Sequence, residues 1–254
     1  MQWAEPLHEG GETMSRVFSR LHPSLSQTLE EKGWKATPVQ ENVIPDIMGG
    51  HDRLVIAPTG SGKTMAGILP LFHRCLTEGW SSLSMLYITP LRALNRDVDR
   101  RLRELAEAVG LRVDVRHGDT SQSQRAKQTR NPPHLLVTTP ETFQLMFSGK
   151  NLRAMLSTVQ AVVVDEVHDL AASERGWQLG IGLSRLEALA GRSVQRLGLS
   201  ATVGNPEAVA HWLSPGKAQP LITTGHRATE LTVESPSPTA EDEIGSVESA
   251  LSPK

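Results

Sequence analysis

The 254 residues carry 38% hydrophobic and 21% charged side chains, enough for one large domain plus some unstructured chain, and aromatics at only 4% leave the core to aliphatic side chains. A single cysteine, Cys75, excludes a disulfide within the chain and fits a reducing, cytoplasmic setting, and no window approaches the roughly 18 apolar residues of a membrane span. Net charge is -2, but residues 230–254 hold six acidic residues and one basic, leaving 25 basic and 22 acidic in 1–229, a modestly basic body compatible with nucleic-acid contact without demonstrating it.

Residues 1–16 are polar and aperiodic; they read as a loose arm and lack the basic-then-apolar pattern of a secretory signal. Leu21, Leu25 and Leu29 recur every four residues, Pro23 suits a first turn and Gly33 an end, so 22–32 is predicted to be a short helix. From Arg53 onward short apolar runs alternate with amphipathic stretches. The runs are 54–57, 85–88, 135–137 and 161–164, while Val113 with Val115 and Leu197 with Leu199 show the two-residue period of weaker strands. The helix after Lys63 contains Pro70, which is expected to kink or shorten it because proline lacks the N–H. Leu91, Leu94, Val98, Leu102, Leu105 and Val109 mark the clearest helix, closed by Gly110. Near the end, 221–224 and 231–233 could be strands, and the rest of 214–254 is proline-rich, serine-rich and acidic, the composition of linker or disordered chain. Apolar strands alternating with helices imply an α/β fold with a mostly parallel sheet covered on both faces; strand order is not readable.

Three stretches carry chemistry. Ala57-Pro58-Thr59-Gly60-Ser61-Gly62-Lys63-Thr64 follows an apolar strand and opens a helix. Small residues let backbone N–H groups turn around a phosphate chain, and the helix N-terminus adds partial positive charge. Lys63 can bridge two phosphates, and the Thr64 hydroxyl can ligate Mg²⁺. The second stretch, Asp165-Glu166-Val167-His168, ends a buried apolar strand. There Asp165 can face the same crevice and hold Mg²⁺, while Glu166 can orient and deprotonate an attacking water. Alone, His168 reads as structural. The third, Ser200-Ala201-Thr202, is weak by itself, because hydroxyls are common at helix caps; its place after the acidic pair gives it weight.

The order of these stretches resembles the superfamily 2 DExH/DEAD-box helicases, whose phosphate loop, D-E-x-H or D-E-A-D and S-A-T motifs occur in this sequence as APTGSGKT, DEVH and SAT. Thr37-Pro38-Val39-Gln40 resembles the Q motif, Thr89-Pro90-Leu91-Arg92-Ala93-Leu94 motif Ia, and Thr139-Pro140-Glu141 motif Ib. Within the family, His117-Gly118-Asp119-Thr120 and the lead-in over 18–33 look most like the Lhr (large helicase-related) branch.

The resemblance implies a RecA-like P-loop NTPase domain, a three-layer sandwich over 17–213, with ATP and Mg²⁺ as cofactors. Thr59, Gly60, Ser61, Gly62, Lys63 and Thr64 would hold the nucleotide, and Gln40 would read the adenine edge. Trp34 and Phe18 are the nearest aromatic candidates for adenine packing. Pro90, Leu91, Arg92, Thr139, Pro140 and Glu141 would contact single-stranded or partly duplex nucleic acid, with DNA ahead of RNA; without the family, Arg92 is an ordinary solvated arginine. His168, Ser200, Ala201 and Thr202 would couple the ATP site to a second RecA-like domain. That domain is expected in cis, with 214–254 as linker and its truncated start, so that this chain alone would be nearly inactive. The expected activity is ATP-dependent strand translocation and unwinding. A duplex translocase that separates no strands, and a nucleotide-dependent binding module without turnover, remain alternatives.

Overall fold

The computed structural model describes residues 15–90 and 96–223. The readings placed on residues 1–14, on Leu91 and Arg92, and on 224–254, including the strand over 231–233, fall outside that range.

Seven strands form one sheet: β1 (Arg53–Ile56), β2 (Met85–Ile88), β3 (Val113–Arg116), β4 (Leu135–Thr138), β5 (Ala161–Val164), β6 (Gln195–Ser200) and β7 (Gln219–Ile222). Their spatial order is β3-β4-β2-β5-β6-β1-β7, and every pair is parallel. Because β7 pairs with β1, the sheet continues past residue 213, and the strand read near 221 belongs to this sheet.

Among the described residues α1 (Pro23–Glu31) and α2 (Pro38–Met48) precede the first strand, and eight helices connect the strands: α3 (Lys63–Thr77), α4 (Arg96–Ala108), α5 (Gln122–Arg130), α6 (Pro140–Met146), α7 (Lys150–Leu156), α8 (Val167–Ala171), α9 (Glu174–Ala190) and α10 (Pro206–Leu213). Alternate strand residues feed two cores. Val55, Met85, Tyr87, Val137 and Val163 pack with α1 to α4, while Leu54, Leu86, Leu136, Val162 and Val164 pack with α6 to α10. Both faces are therefore apolar, which is why strands β2, β4 and β5 read as unbroken hydrophobic runs.

Of the two effects expected of Pro70, shortening does not occur: α3 runs 15 residues through it. Losing one backbone hydrogen bond is outweighed by burying Met65, Ala66, Ile68, Leu69, Leu71 and Phe72, at roughly 1.5–3 kcal/mol for each large side chain.

Candidate nucleotide site and strand-facing loops

The sheet order decides what meets at the C-terminal ends of the strands. β6 lies between β1 and β5, so the loop after β6 sits between the phosphate loop and the acidic pair. The Ala57 N–H donates to the Ser200 carbonyl at 3.1 Å, and the Ser200 hydroxyl lies 2.9 Å from His168 Nδ1. Three stretches separated in sequence thus form one contiguous rim.

The phosphate loop turns at Gly60 and Gly62, with φ of 76° and 89°. A Cβ on Gly62 would also come within 2.7 Å of Gln40 Nε2, so close approach and backbone conformation both require glycine there. Lys63 Nζ donates to the carbonyls of Ala57 at 2.5 Å and Pro58 at 3.0 Å, which holds the ammonium over the loop. Burial pushes Lys63 below its ordinary value, and the charges of Glu166 and Asp165 oppose that shift. Ser61 Oγ is buried without a hydrogen-bond partner among the described residues.

Gln40 is 6% exposed. Its carbonyl accepts from the Thr37 N–H at 3.0 Å, completing a capping box at the start of α2, and its Nε2 donates to the Gly62 carbonyl at 3.3 Å. The amide therefore braces the phosphate loop against α2, and one hydrogen and one lone pair remain to meet a base edge.

Asp165 and Glu166 follow β5. Tyr87 Oη donates to Asp165 Oδ2 at 2.6 Å, and the Thr64 side chain reaches the same hydroxyl. Burial pushes the Asp165 carboxyl up, opposed by the Tyr87 hydrogen bond. Burial and then the Asp165 charge raise Glu166. Tyr87 itself is driven well above its ordinary value, first by burial and then by Asp165.

Gln40, Gly62, Lys63, Thr64, Asp165 and Glu166 line a single cleft of about 660 Å³, together with Thr37, Thr59, Gly60 and Thr89. Trp34, Lys35 and Arg101 line it as well, with the Arg101 guanidinium 5.9 Å from the Trp34 ring centroid. Of the two aromatic candidates, Trp34 reaches the cleft and Phe18 is core, 1% exposed.

Pro90, Thr139, Pro140 and Glu141 lie on the neighbouring strand ends, outside this cleft. Thr139 is buried and its hydroxyl caps α6, accepting from the Thr142 N–H at 3.4 Å. Glu141 pairs with Arg175 at 2.6 Å, and Arg175 also donates to the Pro90 carbonyl at 3.4 Å. Sequence reasoning missed Tyr87, Arg101 and Arg175. Only Tyr87 carried a signal: it is the single tyrosine of the chain, inside an aliphatic strand.

The sequence profile of DEAD/DEAH box helicases matches residues 37–209, the span that holds this whole rim. The chain belongs to the DEAD/DEAH box helicase family. The reading toward the Lhr branch is borne out within it. The ATP-dependent helicase Lhr-Core of Methanothermobacter thermautotrophicus is 38% identical over 79% of this chain and 25% of its own length. The Lhr helicase/uracil glycosylase of Escherichia coli is 44% identical over 63% of this chain and 12% of its own. The structure of Mycobacterium smegmatis helicase Lhr bound to ssDNA and AMP-PNP superposes with a TM-score of 0.74 at 38% identity, over 82% of this chain and 28% of that one. The chain thus spans a quarter or less of the two curated relatives. The parallel α/β, RecA-like helicase fold read from the sequence is likewise borne out.

Proposed function

We propose that this chain is the ATP-binding motor domain of an ATP-dependent helicase that moves along nucleic acid, with DNA ahead of RNA. The observation that carries the reading is the convergence of Lys63, Thr64, Asp165 and Glu166 on one cleft. The similarity to the Mycobacterium smegmatis helicase Lhr bound to ssDNA and AMP-PNP supports the nucleotide and the strand. We place the motor domain from residue 17 through β7, with 1–16 as an arm and the chain beyond β7 leading toward a second RecA-like domain.

Thr64 Oγ1 and Asp165 supply hard oxygen donors side by side, the donor set that suits Mg²⁺ held by one carboxylate, a hydroxyl, waters and phosphate oxygens. When bound, the ion would neutralise charge on the β- and γ-phosphates. Lys63 would exchange its two carbonyl partners for phosphate oxygens. Gln40 would hold the loop and meet the adenine, and Trp34 would pack on the base. Glu166 would orient the attacking water and take its proton, and its upward shift moves it toward the working range of a general base.

Glu166 also favours turnover over passive binding. It adopts φ 45° and ψ 47°, a left-handed conformation uncommon outside glycine, and such strain gathers at active sites. The His168–Ser200 contact ties the acidic pair to the third motif, a path by which the state of the nucleotide reaches the rest of a motor.

Steady-state phosphate release tests this. Among the described residues the one arginine lining the cleft, Arg101, stands by Trp34, where the base would pack, so we assign charge stabilisation on the departing phosphate to an arginine of a second domain, a contribution of roughly 10³–10⁵ in rate. The 254-residue chain should turn over slowly, and a form joined to its second domain should be stimulated by single strands and silenced by Glu166→Gln. Stimulated turnover that survives Glu166→Gln contradicts the assignment.

A further inference from the structure

Two arginines among the described residues are at least nine-tenths buried, Arg196 and Arg116. They are treated differently. Arg196 meets the Glu187 carboxylate at 2.8 Å and the Leu213 carbonyl at 3.0 Å. Arg116, 6% exposed, donates to the neutral Gln128 amide oxygen at 3.2 Å and has no carboxylate partner among the described residues. Burial and the neighbouring Arg125 charge both push its guanidinium down from its ordinary value. An arginine keeps its proton regardless, so the charge stays with no carboxylate to compensate it.

Arg116 opens onto a solvent-facing pocket of about 520 Å³, lined also by Arg125, Thr129, Arg130, Lys150 and Asn151. Arg125 donates to the carbonyls of His117, Gly118 and Thr120, which fix the loop after β3. Arg130 and Lys150 are exposed. Among the described residues, no acidic side chain lines the pocket. The cause is visible in the chain: residues 120–160 contain five lysines and arginines and one acid, Glu141, which Arg175 already engages. The overall charge of -2 conceals this run.

The pocket also lies in line with the strand-facing loops. Arg116 ends β3 in register with Thr138, which ends β4 in register with Ile88 of β2. The Thr138 hydroxyl donates to the Arg116 carbonyl at 2.8 Å. Pro90, Thr139 and Arg116 therefore stand along one edge of the sheet, and β3 lies two strand spacings, about 10 Å, from β2.

We propose that this cationic pocket is a second phosphate-binding site for the nucleic-acid strand, seating backbone phosphates beyond the motif Ia and Ib loops. It extends the proposed helicase reading and rests on it. Phosphate is the fitting ligand: it brings the negative charge that Arg116 lacks, and guanidinium groups take its oxygens in pairs. Contacts of this kind position a strand and carry no base preference.

The test is fluorescence anisotropy of a labelled single-stranded oligonucleotide, titrated at several salt concentrations, with Mg·ATP affinity measured in parallel. The variant Arg130→Glu/Lys150→Glu reverses two exposed charges and removes no long-range contact. Lys217→Glu, ahead of β7 at the far edge of the sheet, is the control for a general charge effect. The expected result is strand affinity at least tenfold weaker for the double variant, within about twofold of wild type for Lys217→Glu, and unchanged Mg·ATP affinity in both. The slope of log affinity against log salt should flatten by about 0.7 for each phosphate that is no longer neutralised. A double variant that binds the strand as well as Lys217→Glu does overturns the pocket and leaves the helicase reading standing. A wild-type chain that binds Mg·ATP but no strand under any salt overturns both. A wild-type pocket that binds an acidic peptide, with that binding lost in the double variant while strand affinity stays at the wild-type level, assigns the pocket to a protein partner and overturns the proposal.

Discussion

Tyr87 Oη donates a 2.6 Å hydrogen bond to Asp165 Oδ2 across 78 residues of sequence, and Thr64 meets the same hydroxyl. The phenol therefore fixes the carboxylate that we assign to Mg²⁺ and joins it to the hydroxyl beside it. Tyr87 touches no substrate; it positions. Tyr87→Phe keeps the packed ring and removes the hydrogen bond. The Mg²⁺ concentration that half-supports ATP binding should rise by about 10–100-fold, the usual consequence of losing a partner that orients a metal ligand. Excess Mg²⁺ should restore binding. A magnesium titration indistinguishable from wild type would remove Tyr87 from the site.

Asp165 is held at a cost. Its folded-state carboxyl is raised from 3.8 by burial, so the folded chain keeps this proton to higher pH than the unfolded chain does. Below the unfolded value both forms are protonated and no penalty exists. Above the folded value both are ionised and the full penalty is present. Asp165→Asn, which still accepts from Tyr87, should raise the Tm measured without nucleotide at pH 7–8, by about 2–4 °C for each kcal/mol relieved. The gain should shrink as pH falls toward about 4. A variant less stable than wild type at neutral pH would show that Asp165 is a structural anion.

Gln40 has two tasks in this structure, bracing the Gly62 carbonyl and closing the α2 cap. Gln40→Ala should therefore weaken ATP and GTP together and also bring the two affinities closer. Without the capping hydrogen bond, stability should fall by about 0.5–2 kcal/mol. Competition binding with both nucleotides checks this. Equal ATP and GTP affinity in the wild type would contradict the adenine assignment.

Arg175 joins Glu141 to the Pro90 carbonyl, tying the two strand-facing loops to the start of α9. Arg175→Ala should weaken single-strand binding several-fold and leave Mg·ATP affinity unchanged. If strand affinity stays at the wild-type level, the tie is dispensable for strand binding.

The phosphate loop, the acidic pair and the Ser200 motif were legible because each is a short contiguous stretch at a strand end. One end of a parallel sheet then brings such stretches together whatever lies between them in sequence. Tyr87 and Arg175 were not legible, because their roles arise from partners 34 to 85 residues away. A lone tyrosine in an aliphatic strand marks a position without naming its partner, and an arginine on a helix carries no mark at all. Whether α3 would stop at Pro70 was not legible for a related reason: the burial that outweighs a missing hydrogen bond is tertiary. Trp34 could be named but not chosen over Phe18 until the cleft showed which one faces it.

Everything proposed for this chain depends on Lys63 and the loop around it binding the phosphates of ATP. Isothermal titration of the 254-residue chain with Mg·ATP, wild type against Lys63→Ala, measures this directly. A saturable one-to-one heat is expected for wild type and an affinity about 100-fold lower or worse for the variant, because charge-assisted bonds worth roughly 1.5–3 kcal/mol each disappear. Equal Mg·ATP affinity in the two proteins would contradict it.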